Sequence, residues 1–417
     1  MRVAVVGGGV VGLCCAYSLR RRGADVVLLE RDEVGSGCTR GNTGWICPGL
    51  SAPLPAPGVM GAAVRGMLRP GSPVLIRPLF GLEFLRWTWR FWRACTPEAY
   101  RAGLEATVAL SRRSFALFDE LRAAGVEFEM HQTGMVVAAL TEEGLREFEI
   151  MLRDAEAAGY EGPVDVLGRE EVRRVERAVS DAVVGAVHAP SERYVRPESL
   201  ARGLADWLRV NGAEVREGAE VRSLDEIEAD AVVVAAGAWS GPLLREAGVR
   251  LSQEAAKGYS ITARGSGTLP RSAFYLAEAK VGCSTFGDTL RIAGVFDLTG
   301  FDLTLRRKRI DAIVSNALPY LHDWRPDEVE LEWAGLRPYP PDGIPVLGPA
   351  PGHDRLWIAT GHGRMGITLG PPTGDLLAEA ILEGARPPEL EPFRLERFTS
   401  GGASRSRAGL PFRRSSA

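Results

Sequence analysis

Three glycines, Gly7, Gly9 and Gly12, stand in a G-x-G-x-x-G spacing. They follow the apolar run 3–6 and precede a helical pattern over 10–22 that stops at Gly23. A second strand pattern, 25–29, ends on Glu30. Strand, glycine turn, helix, strand and terminal acid in that order read as a dinucleotide cradle. Gly7 lets the chain turn out of the strand, Gly9 lets a pyrophosphate approach the backbone, and Gly12 lets the helix lie close to the sheet. The helix start at Val10 and Val11 offers free N–H groups and a partial positive charge to phosphates. Glu30, eighteen positions after Gly12, is placed to accept hydrogen bonds from ribose hydroxyls and to repel the extra phosphate of NADP. A signal peptide needs no such spacing.

Further chemistry-bearing residues lie in three other stretches. The Gly/Pro/Ser/Asn-rich loop 31–62 follows directly from the ribose position, and loops of that length are often functional. Its donors are Arg31, Thr39, Asn42, Thr43 and Gly44. A buried strand, 231–234, ends in Ala235, Ala236, Gly237, Ala238 and Trp239, small enough to let a cofactor lie near the backbone. Near the end, strand 356–359 leads through Gly361, His362, Gly363, Met365 and Gly366 into a helix running to 383. Pro371 and Pro372 fall inside that helix, so a kink or a delayed start is expected, with Thr373 as a cap.

The elements that must position these groups are a mixture of α and β. Residues 104–124 read as one amphipathic helix, 142–158 and 197–210 as two more, and 133–140 and 184–189 as strands. Residues 213–224 read as strand, turn, strand. From 254 to 333 the pattern alternates, with strands at 258–263, 273–277, 280–284 and 290–295, and a long helix at 306–324. In the stretch 79–95, Leu82, Leu85, Trp89 and Trp92 share one helical stripe, with Arg86, Arg90 and Arg93 at helical spacing. That pattern fits an interfacial membrane helix or a helix packed on a neighbouring domain. The tail 398–417 is basic, low in apolar residues and expected to be disordered.

At 417 residues the chain is long enough for two or three domains, and its net charge of −3 gives no reason to expect nucleic acid as a partner. Six cysteines without a CxxC pair and five scattered histidines point to a reduced, cytoplasmic setting with no metal site. No run of about twenty apolar residues follows the glycine-bearing N-terminus, so no spanning helix is expected; peripheral contact with the inner face of the cell membrane stays open through 79–95.

Four stretches carry a resemblance over nearly the whole chain: VAVVGGGVVG, GNTGWICPGLSAPLPAPGV, KGYSIT and GLRPYPPDGIPVLG with TGHGRMGITLG. The sequence resembles the D-amino acid oxidase-type FAD oxidoreductases, and among them the small subunit of bacterial D-amino acid dehydrogenases. The resemblance implies an α/β fold: a glutathione reductase-like, Rossmann-type FAD domain from 1–78, 197–250 and 335–397, with an inserted α+β substrate domain from 79–196 and 251–334. It implies non-covalent FAD, with adenine near Glu30 and Val221 and the flavin between Asn42–Gly44 and the 361–366 turn, Met365 and Thr368 included. No cysteine follows Cys283, which excludes a cysteinyl flavin link from the C-terminal region.

The resemblance also places Arg337 on the substrate carboxylate, Tyr259 as a hydroxyl donor to the same group, and His362 beside the flavin or the substrate amine. It implies oxidation of a D-amino acid by hydride transfer from Cα to flavin N5, with electrons passed to a quinone or other carrier. An enzyme of the same fold acting on glycine, sarcosine or a cyclic amino acid such as D-proline or hydroxyproline is the alternative. Segment 191–196 departs from the family pattern and is expected on the substrate side. An NAD-dependent dehydrogenase fits poorly with cofactor segments recurring in three separated places, and a non-catalytic flavin-binding scaffold would rest on the Trp/Arg stretch alone.

Overall fold

The computed structural model describes residues 1–61, 74–76, 81–384 and 387–398. The tail expected to be disordered lies, from residue 399 onward, outside them.

Six strands from three separated parts of the chain form one sheet: β1 (Arg2–Val6), β2 (Asp25–Leu29), β3 (Glu214–Arg216), β4 (Ala231–Val234), β5 (Val346–Pro349) and β6 (Leu356–Thr360), in the order β3-β2-β1-β4-β6-β5. All neighbours are parallel except β5 and β6. β1 and β4 are apolar almost throughout, as parallel strands covered on both faces must be. Helices Val10–Arg21 and Gly366–Glu383 cover one face, joined there by Pro197–Val210. Gly374 touches the backbone of Cys14, where a Cβ would come within 2.4 Å. The strand-end of β1, the start of both helices and the end of β4 therefore converge.

A second, nine-stranded sheet is built largely from the middle of the chain. Its long members, Glu254–Ser266, Thr289–Leu298 and Arg325–Tyr339, pair antiparallel. Arg325–Tyr339 is a strand not named from the sequence, although it begins within the stretch 254–333 read as alternating; its outer half, Asp327 to Glu332, mixes acids with Val329 and Leu331 at the sheet edge. Its inner end carries Leu336 and Arg337 to the boundary between the two sheets. A three-stranded sheet, Trp45–Ile46, Arg193–Val195 and Met130–His131, fastens the long loop.

Several expected elements differ. The helix read over 104–124 is two, Pro97–Ser111 and Ser114–Ala123; at the junction the buried Ser111 donates to the Val108 carbonyl and Ser114 to the Thr368 carbonyl of another helix. The helix read over 306–324 stops at Ala317 and continues as one 3-10 turn, Leu318–Tyr320, with Pro319 inside it. Only Glu214–Arg216 of 213–224 is a strand. Neither a delayed start nor a Thr373 cap occurs in Gly366–Glu383, which runs through Pro371 and Pro372. Pro372 removes the N–H that would reach the Thr368 carbonyl, and Ser114 Oγ supplies a donor to that carbonyl at 2.7 Å.

Candidate active site

The glycine turn is shaped by what it touches. Gly7 has φ +111°, and a Cβ there would lie 2.5 Å from the Ala235 carbonyl oxygen; one on Gly12 would lie 1.9 Å from the Gly7 oxygen. At Gly9 the nearest atom is Thr39 Oγ1 at 3.7 Å, so this backbone is open on the side a ligand would occupy. Thr39 Oγ1 also accepts from Val10 N–H at 3.1 Å and holds the loop against the helix start. Glu30 accepts from Gly8 N–H at 2.6 Å and from Asp32 N–H at 3.0 Å. A carboxylate has about four acceptor positions, so lone pairs remain for ribose hydroxyls.

A cavity of about 410 Å³ follows from these contacts. Of the sequence-predicted residues it is lined by Gly7, Gly9, Val10, Val11, Glu30, Arg31, Asn42, Val221, Ala236, Gly237, Trp239, His362, Gly363 and Gly366. The Arg31 guanidinium sits 4.0 Å from the Trp239 ring centroid, closing one side. Open backbone at Gly9, two helix N-termini, and an acid at the end of β2 suit a dinucleotide with a central pyrophosphate.

A larger cavity, about 1440 Å³, meets the first at Cys38 and Asn42, which line both. Thr43, Tyr259, Arg337 and Met365 border it. Arg337 Nη1 donates to the Val295 carbonyl at 2.9 Å. Val295 is held at φ +72°, a conformation a β-branched residue rarely adopts, and such outliers cluster at functional sites. No carboxylate pairs with Arg337 among the described residues, so its charge is available to a ligand. Cys38 feels that charge: burial pushes its thiol up to about 11, and Arg337 acts in the opposite direction.

Residues that the sequence left unmarked complete this cavity. Arg364 lines it and donates through Nη2 to the Leu50 and Ala52 carbonyls, both at 3.1 Å. Tyr339 and Tyr275 line the same cavity as Arg337 and Arg364; burial raises both phenols, and the two arginine charges act in the opposite direction. Trp45, Trp333, Phe84, Trp87 and Phe91 give the remaining wall its apolar character. Arg364 and Tyr339 lie within the motifs that carry the resemblance and were there to be read; Tyr275 carries no local signal. Buried Arg291 pairs with Glu198 at 2.7 Å and donates to the Arg40 and Asn42 carbonyls, clamping the loop between the cavities.

Three of the expected site residues take the following places. Tyr259 is fully buried, with Lys257 Nζ 5.3 Å from its ring centroid and Ile310 and Ile313 in the same core cluster. It lines the same larger cavity as Arg337, and its buried hydroxyl has no hydrogen-bond partner among the described residues. His362 lines the smaller cavity only, with Nε2 3.0 Å from Thr373 Oγ1; burial pushes its pKa down to about 3, so it is a neutral group on the cofactor side. Thr368 lines neither cavity: its Oγ1 accepts from Cys47 N–H and donates to the Trp45 carbonyl, tying the loop to the helix.

Gly12, Gly44 and Gly361 also line neither cavity and act through close packing. Gly44, at φ +79°, would place a Cβ 1.8 Å from the Val195 oxygen. Segment 191–196, expected on the substrate side, does not line the larger cavity either. Arg193–Val195 pairs with the loop strand, and the buried Glu192 accepts from Gly49 N–H at 3.0 Å.

This architecture, a cradle for an extended dinucleotide assembled from three chain segments beside a sheet-walled cavity, defines a flavin-dependent oxidoreductase. Residues 2–380 match the family model described as FAD dependent oxidoreductase, DAO, and the chain belongs to that family. FAD is its cofactor, and the cavity beside Gly9 and Glu30 fits it. The fold is also that of solved structures at low identity. Glycine oxidase from Geobacillus kaustophilus superposes with a TM-score of 0.74 at 24% identity, covering 95% of this chain and 99% of that one. Iminodiacetate oxidase from Chelativorans sp. BNC1 does so at 0.71 and 23%, covering 94% and 99%. L-proline dehydrogenase from P. horikoshii gives 0.73 and 19%, covering 95% and 97%. No described helix is long and apolar enough to cross a membrane.

Proposed function

We propose that this chain oxidises the α-amine of a D-amino acid and passes the electrons to a quinone or other carrier. The observation that carries the reading is Arg337: a guanidinium without a carboxylate partner among the described residues, held by the Val295 carbonyl in a cavity that meets the cofactor cavity at Asn42 and Cys38. A planar fork of donors matches a carboxylate bidentately. Bound non-covalently, FAD would supply the acceptor for a hydride from Cα, leaving an imino acid that water hydrolyses to a 2-oxo acid and ammonia.

The protein's share is positioning. Arg337 holds the carboxylate, and Tyr339 and Tyr275 stand beside it. The Phe84, Trp87 and Phe91 wall takes an apolar side chain and excludes water. Asn42 and Thr43, fixed by Arg291 and by Ser284 Oγ (2.8 Å to the Thr43 carbonyl), border the passage between the cavities. The N-terminus of Gly366–Glu383 is aimed to favour negative charge on the cofactor side. His362, neutral, keeps that side free of a competing titration.

A second reading, oxidation of glycine, an N-substituted glycine or a cyclic amino acid such as D-proline, draws support from the likeness to glycine oxidase, iminodiacetate oxidase and L-proline dehydrogenase. Acceptor reduction and the product formed decide between them (2-oxo acid and ammonia from a primary amine, a cyclic imine without ammonia from proline), measured for D-alanine, D-phenylalanine, D-proline, glycine and their L-forms, with a quinone analogue under nitrogen and with air alone. The proposal requires turnover of acyclic D-amino acids with the quinone analogue. Turnover of glycine or proline only would replace it by the second reading.

A further inference from the structure

Four of the large apolar side chains that the fold leaves exposed stand on one face of one helix. On Leu82–Ala94, Trp87 and Phe91 are 4% and 7% exposed and line the larger cavity, whereas Leu82, Leu85, Trp89 and Trp92 are 70, 55, 53 and 60% exposed. Their spacing of three and four makes a single stripe. The rotation of the helix is fixed from inside, because Trp87 Nε1 donates to the Tyr339 carbonyl at 2.8 Å and its ring stacks on Phe84 and Phe91. The outward stripe is therefore what the folded protein presents, and a contiguous apolar face of this kind marks an interaction surface.

The charge around it indicates the partner. Arg86 and Arg93 are exposed on the same helix, and Arg93 lies 5.0 Å from the Trp89 ring centroid. Its single acid, Glu83, is taken by Arg245 at 2.6 Å. Along the helix itself three arginines, Arg86, Arg90 and Arg93, stand beside that one acid, within a protein of net charge −3. Apolar side chains led by tryptophan, rimmed by unopposed arginines, match the interface of an anionic bilayer: indole at headgroup depth, guanidinium on phosphate. A second copy of this protein would bring two arginine-rich faces together, which like-charge repulsion opposes.

We propose that the Leu82–Ala94 helix docks the protein on the surface of an anionic lipid bilayer through Leu82, Leu85, Trp89 and Trp92. A helix is about 10 Å across, so docking sets the larger cavity, walled by Phe84, Trp87 and Phe91 of the same helix, one helix width from the lipid. The inference does not depend on which amino acid is oxidised.

Flotation of the FAD-loaded full-length protein with phosphatidylglycerol/phosphatidylcholine vesicles tests it, alongside phosphatidylcholine vesicles, a salt series, and sedimentation of the lipid-free protein. The expected result is co-flotation with the anionic vesicles alone. Arg86→Gln and Arg93→Gln should each weaken it about fivefold, and Trp89→Glu/Trp92→Glu should abolish it while keeping the flavin spectrum of the parent. Failure to float with anionic vesicles would overturn the proposal. So would flotation unchanged in the double variant, or a parent dimer that the double variant converts to monomer, which would assign the stripe to self-association.

Discussion

The Arg337 guanidinium lies directly over Gly258, close enough that a Cβ at 258 would fall 2.1 Å from Nη2. The two residues sit on adjacent antiparallel strands, Gly258 facing Gly335 and Arg337 facing Ala256. The missing side chain is the space in which the Arg337 guanidinium rests. Arg337→Ala should lower kcat/KM for the amino acid by about 10²–10³-fold, mostly through KM, as for loss of one partner of a desolvated charge pair. Arg337→Lys should recover part of that loss but not the bidentate geometry. Gly258→Ala should raise KM about tenfold with FAD content unchanged, since only the far end of a flexible side chain must move. Steady-state kinetics on the three variants checks all of this.

Two glycines of one motif should fail in different ways. Gly9→Ala meets nothing closer than 3.7 Å in the protein and projects into the cofactor cavity, so it should fold and purify with little flavin. Gly12→Ala collides with the Gly7 carbonyl oxygen at 1.9 Å and should lose soluble yield outright. The flavin-to-protein absorbance ratio and the yield separate the outcomes.

Ser114 stands in for a hydrogen bond that Pro372 cannot make. Ser114→Ala leaves the buried Thr368 carbonyl without that donor and should cost about 1–2 kcal/mol of stability, read as a lower denaturation midpoint. Pro372→Ala, which restores an N–H, should reduce the cost of Ser114→Ala in a double-mutant cycle.

Burial pushes the Glu192 carboxyl up to about 8 from an ordinary value near 4.5. The folded protein then holds a proton between these values that the unfolded one releases, so stability falls as pH rises through that window. Glu192→Gln should be less sensitive to pH between about 5 and 8, and more stable than the parent above pH 8 by at most a few kcal/mol. Melting temperatures at pH 5, 7 and 9 test the sign.

The cofactor half of this molecule was legible because its determinants are local. Gly7 to Glu30 is one continuous βαβ unit, and each glycine's function follows from its place in the turn. The substrate half depends on strand partners far apart in sequence. Tyr259 stands one residue from Gly258, yet only the pairing with Arg325–Tyr339 reveals that Arg337 lies over Gly258. That strand itself was not named, because its outer half at the sheet edge carries four acids, Asp327, Glu328, Glu330 and Glu332. His362 sits in a glycine-rich turn that marks a site, but its neutrality comes from burial by residues distant in the sequence. The Leu82–Trp92 stripe was plain in the sequence, and its orientation was not: an apolar stripe ordinarily faces the core, and here Trp87 and Phe91 do so instead.

The central claim is that bound FAD accepts electrons from an amino acid whose carboxylate Arg337 holds. An anaerobic titration of the purified protein, followed in the visible spectrum while D-alanine, D-proline, glycine and the L-forms are added in turn, tests it most directly. The account predicts a flavin band that bleaches with acyclic D-amino acids in the parent, and that in Arg337→Ala bleaches only at concentrations about 10²–10³-fold higher. A band that no amino acid bleaches, or one that bleaches equally well in the variant, would contradict it.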